Sequence, residues 1–458
     1  MQLPFVTDKP IAAVPIHAIR SSEWPHWIER HSESLRRLAA AHDFQAQNAR
    51  ILLAPATDGS IERVLFGVGD KANAMVMGAL AQHLPAGDYR IAFAPREFSS
   101  TNVVIAWGLG AYAFDRYKKR KRPAPRLAPP DGADMADAAR IIEATWLARD
   151  LVNTPTNDMG PEALHAAAQH VAEECGGEFE AIVGDELLAQ NYPLIHAVGR
   201  AAAQAPRLLH IGYGAPTAPR IAIVGKGVTF DTGGLDIKPS AGMRLMKKDM
   251  GGAAHALALT RIIMQAKLNV RLDTFIPVVE NAVAGDAFRP GDVIVARKGV
   301  SVEIDNTDAE GRLILADALT RACEDKPLLV IDFATLTGAA RTALGPDLPP
   351  FYTGDETLAA EFAQASIETH DPIWRMPLWD PYDGDMDTPI ADLKNTGDGA
   401  MAGSIYAALF LRRFVNAPVW AHFDIFAWAP KEKPARPQGG EAQALRATWR
   451  VLKGRFAG

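Results

Sequence analysis

Cysteine is nearly absent. The 458 residues contain two, Cys175 and Cys323, and neither lies in a C-x-x-C pair. This excludes a disulfide framework and a thiolate zinc site, and two buried thiols in a reducing compartment are the simplest reading. Long apolar runs are lacking as well. No stretch of about eighteen residues could span a bilayer. The opening "MQLPFVTDKP" is broken by Asp8, Lys9 and Pro10 before it reaches signal-peptide length. A cytoplasmic protein is expected. Positive charge is not in excess. The net charge of −6 argues against a chain that grips nucleic acid over a broad surface. Two motifs are missing: no G-x-x-x-x-G-K-[ST] phosphate loop and no H-E-x-x-H, which disfavours ordinary histidine-ligated zinc chemistry.

What is present is ordinary globular composition, 48% hydrophobic and 22% charged. The length exceeds one core, so two domains are expected. Short β-like runs alternate with helical patterns, the mark of an α/β layer. "ERVLFGVG" (62–69), "YRIAFAP" and "NVVIAWGLG" read as strands, and "KANAMVMGALAQHL" (71–84) as a helix. The basic, proline-rich "YKKRKRPAPRLAPPDGAD" (117–134) suits a solvated connection. "MADAARIIEATWLARDLVN" (135–153) reads as a helix stopped by the prolines of "NTPTNDMGP". The boundaries drawn are an N-terminal α/β domain over 1–133, a linker helix over 134–153 and a larger C-terminal α/β domain over 154–458. In that second half "PRIAIVGKGVTFD", "LDTFIPVVENA", "PLLVIDFATLTGA" and "PVWAHFDIFAW" read as strands. "MGGAAHALALTRIIMQAKL" and "LILADALTRACEDK" read as helices.

Four stretches carry chemistry. "GVGDKA" (67–72) matches G-x-G-x-x-A after a strand, with Asp88 lying 21 residues beyond Gly67. That admits an NAD(P)-type dinucleotide enzyme, although strand-to-helix glycine turns are common for backbone reasons alone. The basic run Arg116–Arg122 admits nucleic-acid contact, but such runs are more often solvated surface. The third stretch, "VGKGVTFDTGGLDIKPSAGMRLMKKDMGGAAH", sets Lys226 at the end of an apolar strand, then Asp231, Lys238 and Asp249. Here Asp249 could simply cap a helix. The fourth, "VEIDNTDAEGRLILADAL", crowds Asp305, Asp308, Glu310 and Arg312 against an apolar run. An acid near Leu313 could merely favour a helix N-terminus. Four half-buried carboxylates repel one another, and divalent cations are the natural compensation.

"VGKGVTFDTGG…DIKPSAGM…KDMGGAA", "DNTDAEGRLILADAL" and "FATLTGAA" (333–340) closely resemble the leucine aminopeptidase family of dinuclear metallopeptidases. The resemblance covers about the last two-thirds of the chain, from near Leu147. It implies a twisted mixed sheet flanked by helices in the C-terminal domain and a site holding two divalent metals, zinc or manganese, or magnesium in one position. The implied ligands are Lys226, Asp231, Asp249, Asp308 and Glu310, with Asp231 and Glu310 bridging. Lys238 and Arg312 are the implied catalytic pair, Arg312 holding a bicarbonate that shuttles the proton for a metal-activated hydroxide. Met246, Asn306, Thr335, Leu336 and Gly338 fall at positions around the substrate, although Met246 is equally a good core filler. Peptides with a free N-terminus are the implied substrates and a homohexamer the implied assembly; some members also bind DNA, so a DNA-binding or regulatory relative is a further alternative. Asp305 receives no ligand role. Thr232, Gly242 and the tail "KPARPQGGEAQALRATWRVL" depart from the best-known members, which leaves the preferred first residue open.

Overall fold

The computed structural model describes residues 2–6 and 13–457; residues 1 and 7–10 of the stretch inspected for a targeting signal lie outside it. The chain divides into two compact units, Met1–Trp146 with Ala429–Gln438, and Leu147–Trp428 with Gly439–Gly458.

The first unit is built on a five-stranded sheet. Its strands are β1 (Val14–Ile19), β2 (Arg50–Pro55), β3 (Ile61–Gly67), β4 (Asp88–Phe93) and β5 (Arg126–Ala128), in the order β2-β3-β1-β4-β5. Only β2–β3 is antiparallel. The proline-rich connection therefore supplies an edge strand, while Arg116–Arg122 forms an exposed loop.

Two expectations are corrected here. "NVVIAWGLG" is not a strand but lies in helix α1 (Ser100–Gly110), where Val103–Gly110 is buried throughout. A continuous apolar run fits a buried helix as well as a buried strand, and Ser99, accepting from Asn102 N at 3.2 Å, starts the helix. The helix expected over 71–84 is broken into a 3₁₀ turn, Ala74–Met77, and a short helix, Gly78–His83. The dinucleotide reading loses its geometry with it. A Cβ on Gly67 would lie 2.2 Å from Gln47 O, so this glycine admits the chain's own backbone. Asp88 is engaged by Arg126 through Nε at 2.8 Å and Nη2 at 2.9 Å.

Helix α2 (Met135–Asn153) carries the chain into the second unit. Its strands are β6 (Glu178–Val183), β7 (Arg207–Tyr213), β8 (Arg220–Gly225), β9 (Gly227–Asp231), β10 (Arg271–Asn281), β11 (Val293–Val295), β12 (Ser301–Glu303), β13 (Leu329–Ala334), β14 (Pro350–Tyr352), β15 (Trp374–Arg375), β16 (Leu393–Lys394) and β17 (Trp420–Asp424). The main sheet runs β15-β14-β17-β13-β8-β10-β7-β6, with β9 also on β10; β11, β12 and β16 form a small separate sheet. The sheet is mixed: β17, β13, β8 and β10 are parallel, β7 is antiparallel to β10 and β6, and β14 is antiparallel to β17 but parallel to β15. Helices α3 (Gly251–Gln265) and α4 (Glu310–Glu324) follow β9 and precede β13 respectively.

The apolar run after Arg312 is the centre of the core. Leu313, Ile314, Leu315 and Leu319 are fully buried with Val224, Phe275, Val330 and Phe410, each worth about 1.5–3 kcal/mol of burial. Asp317 is the polar exception within it. Its carboxylate accepts Leu194 N at 2.8 Å and Arg297 N at 2.9 Å, and burial pushes it up to about 7.

His255 on α3 ties the C-terminal segment down. Nδ1 donates to Gly251 O at 2.6 Å, so Nε2 must accept Gln443 N at 2.8 Å as the neutral ring. Burial lowers its pKa to about 4. The unfolded histidine, near 6.5, takes a proton that the folded one refuses, so its stabilisation is present above about 6.5 and is lost as pH falls toward 4. We expect the gap in Tm between the wild type and His255→Gln to shrink over that interval. A constant gap from pH 7.5 to 4.5 would exclude this coupling.

Candidate functional site

The site forms where the parallel strands end, the usual place for ligands on an open α/β sheet. Lys226 directly follows β8 and its N–H donates to Phe333 O at 3.0 Å; Asp231 closes β9; Thr335 follows β13; Asp424 closes β17. Asp249 precedes α3, and Glu310 opens α4.

The helix start is not where the apolar pattern placed it. α4 begins at Glu310, three residues before Leu313, so Glu310 and Arg312 lie in its first turn. No side chain caps α3 or α4. The capping explanation of Asp249 therefore does not hold. Two glycines permit the close approach of these helices. A Cβ on Gly252 would lie 2.1 Å from Phe333 O, and one on Gly311 would lie 2.5 Å from Lys226 Cε.

Lys226 Nζ lies 2.7 Å from Asp249 Oδ2 and 3.0 Å from Glu310 Oε1, and donates to Thr335 O at 3.0 Å. Lys238 Nζ lies 2.8 Å from Asp231 Oδ2 and also pairs with Asp308. Asp231, Asp308 and Glu310 each offer an oxygen within 4.8 Å of the others. All five residues expected as ligands, and Lys238, thus meet in one cluster, in which Lys226, Asp231, Asp249 and Glu310 are no more than 2% exposed.

The electrostatics are strained toward cation binding. Burial, then Asp231, pushes Glu310 up to about 8 and Asp308 up to about 6. Burial alone would lower the two lysines, but the acids outweigh it. Asp249, Glu310 and Asp231 hold Lys226 above the usual lysine range, and Asp231 and Glu310 do the same for Lys238. Asp249 Oδ2 and Glu310 Oε1 are buried without an aligned hydrogen bond. Converging carboxylates, of which Asp308 and Glu310 are raised in proton affinity, are a donor set that a divalent cation fits. Lys226 would ligate only after losing its proton, so an ion there competes with the acids that keep it charged.

Arg312 is 8% exposed; Nη1 donates to Asn395 O at 2.6 Å, while Nε is buried without a partner. Burial lowers it to about 10, which leaves it a cation at neutral pH with one donor open for an anion. Among the positions expected around the substrate, Thr335 Oγ1 donates to Asp249 Oδ1 at 2.9 Å, Leu336 N donates to Asp424 Oδ1 at 3.0 Å, and Gly338 opens helix α5 (Gly338–Leu344). Asn306 Oδ1 accepts Asp308 N at 2.7 Å. Met246 opens the 3₁₀ turn Met246–Lys248 and is half-buried. Asp305 accepts from Thr396 and stays out of the cluster.

Supporting residues escaped the sequence reading. Asn281 Nδ2 donates to Asp231 Oδ1 at 2.9 Å and to Thr307 O at 3.1 Å. Asn395 Oδ1 accepts Asp305 N and Asn306 N at 2.8 and 3.1 Å. Asp424 Oδ2 accepts Thr337 Oγ1 at 2.6 Å. These partners lie 26 to 90 positions away in sequence, so no local pattern signals them.

Residues 146–448 match the catalytic domain of the cytosol aminopeptidase family, and residues 14–130 match the M17 aminopeptidase N-terminal domain. The chain belongs to the cytosol aminopeptidase family. It is 41% identical over 366 residues to a probable cytosol aminopeptidase of Geobacter sp. (strain M21), covering 76% of this chain and 74% of that one. With the Synechococcus sp. (strain ATCC 27144) relative it is 35% identical over 450 residues, covering 93% and 92%. The crystal structure of the Coxiella burnetii cytosol aminopeptidase superposes with a TM-score of 0.94 at 42% identity over 99% of both chains. The bottromycin maturation enzyme BotP, solved in complex with Mn, superposes with a TM-score of 0.87 at 32% identity, covering 97% of this chain and 99% of that one. As a member of this family the chain is a hydrolase, a metal-dependent aminopeptidase acting on peptides. No helix among the described residues is long and apolar enough to cross a membrane.

Proposed function

We propose that this aminopeptidase removes the first residue of a peptide with two divalent ions, zinc or manganese, or magnesium in one position, held by Lys226, Asp231, Asp249, Asp308 and Glu310. The observation that carries this reading is the convergence of four carboxylates on two lysines, with oxygens of Asp231, Asp308 and Glu310 within 4.8 Å of one another. Such ions supply Lewis acidity and a water acidified toward neutral pH. Asp231, Asp308 and Glu310, whose oxygens converge, would hold these ions together with Asp249 and a deprotonated Lys226.

The remaining steps belong to the chain's own groups. Lys238 stays a cation because Asp231 and Glu310 hold it charged, and its ammonium is placed to stabilise the oxyanion that develops on the scissile carbonyl. Arg312 cannot take a proton at neutral pH; its open Nε fits a bicarbonate, which would supply the base. Asn306, Thr335, Leu336 and Gly338 line the substrate, and Met246 meets the first side chain. A leucine-like first residue fits an apolar pocket, with modest discrimination among apolar residues.

We assign catalysis to 154–458, since every candidate residue falls between Lys226 and Gly338; 1–133 form the N-terminal domain and 134–153 the linker. A homohexamer in the cytoplasm completes the reading. Nucleic acid is not among the proposed partners.

The test is hydrolysis of leucine-p-nitroanilide by protein stripped with chelator, before and after adding zinc or manganese. Stripping should abolish the rate and either ion should restore it. Failure of every ion to restore hydrolysis of any aminoacyl substrate would sink the proposal.

A further inference from the structure

Lys248 is 1% exposed, yet its ammonium makes no hydrogen bond among the described residues. The one acid within ion-pair reach is Asp249, whose Oδ1 lies 3.8 Å away. That acid is already committed: Oδ1 accepts Thr335 Oγ1 at 2.9 Å, and Oδ2 faces Lys226 Nζ at 2.7 Å. A second cation lies close by. Lys248 Nζ is 5.4 Å and Arg341 Cζ 4.8 Å from the centroid of the same Phe426 ring. Arg341 donates Nη1 to Thr337 O at 2.8 Å and has no acid within ion-pair distance among the described residues. Contact with an aromatic face offsets only part of the cost of burying a cation.

A buried ammonium without a matched anion is costly, and an unbranched apolar side chain of similar length would fill the same space without that cost. Its position suggests what compensates. Lys248 ends the turn that Met246 opens, and it shares Asp249 with Thr335, two positions assigned above to the substrate.

We propose that Lys248, seconded by Arg341, recognises a carboxylate of the peptide substrate and so favours peptides that carry an acid next to the scissile bond. This rests on the site assignment of the preceding subsection. The carboxylate has two possible sources, the side chain of an acidic first residue or the C-terminus of a dipeptide.

Two substrate pairs distinguish these sources on the manganese-loaded enzyme. Glutamyl- and glutaminyl-p-nitroanilide differ in side-chain charge; Leu-Gly and Leu-Gly-amide differ in terminal charge. Loss of a charge-assisted contact is worth about 10- to 100-fold. In Lys248→Met the ratio of kcat/KM for the anionic over the neutral member should fall by that factor in one of the pairs. Arg341→Met, at a half-buried position, should lower the same ratio and guards against misfolding of the first variant. A fall in the first pair puts the carboxylate on the first side chain, and a fall in the second puts it at the dipeptide terminus. Unchanged ratios in both pairs and both variants, with neutral substrates still hydrolysed, overturn this proposal alone. Absence of metal-restored hydrolysis on all four substrates in the wild type overturns it together with the site assignment.

Discussion

Lys238→Ala is expected to lower kcat by about 10²–10³-fold, the usual cost of losing an oxyanion donor, while metal content stays at the wild-type level. The structure gives both halves of this expectation. Lys238 Nζ touches Asp231 at 2.8 Å and also pairs with Asp308, so it stands at the edge of the acidic cluster and outside the five residues that would hold ions. Its removal deletes a positive charge from among carboxylates that repel one another. Cation affinity should therefore be kept or rise. A structural role would behave differently, because loss of packing would lower metal content and rate together. Metal analysis on the same preparation used for kinetics separates the two. Full activity in Lys238→Ala would refute the assigned role.

Asp308→Asn should produce the opposite pattern, with metal retention lost and rate falling by more than about 10²-fold, since even groups that only orient metal ligands are worth 10–100-fold. The substitution keeps the shape and removes one charge. Burial and Asp231 together push the Asp308 carboxyl up to about 6, so in the absence of ions the asparagine relieves repulsion and the variant should be no less stable than the wild type. Added manganese should raise the wild-type Tm, by an amount that corresponds to about 2.7 kcal/mol at one hundred times Kd. It should leave the Tm of Asp308→Asn almost unmoved. An equal rise in both proteins would remove Asp308 from the ligand set.

Much of the site was legible in the sequence, for a physical reason. Carboxylates crowded beside an apolar run need a compensating charge wherever the chain goes, so Asp308 and Glu310 were conspicuous before any fold was known. The apolar run itself, Leu313–Leu319, is buried as its composition requires. The helix start was misjudged because Glu310 and Arg312 look like loop residues by polarity. Only the approach of Lys226 to Gly311 makes the first turn of α4 a lining of the site. In the first unit "NVVIAWGLG" reads as a strand because its run is apolar without interruption; burial fits strand and helix alike, and the Ser99 cap starts the helix.

The sequence by itself determined the chemistry: which residues carry charge, that cysteine and a histidine motif play no part, and which long motifs tie the chain to a metallopeptidase family. Only the tertiary structure decided the partnerships. It set Lys226 between Asp249 and Glu310, fixed Asp231 through Asn281, joined the Asp305–Asn306 turn to Asn395, and left Lys248 buried beside an acid already engaged. The physical reason is distance along the chain. A charge is a property of its own residue, but its compensation comes from strand ends and helix starts that meet only when the sheet is assembled.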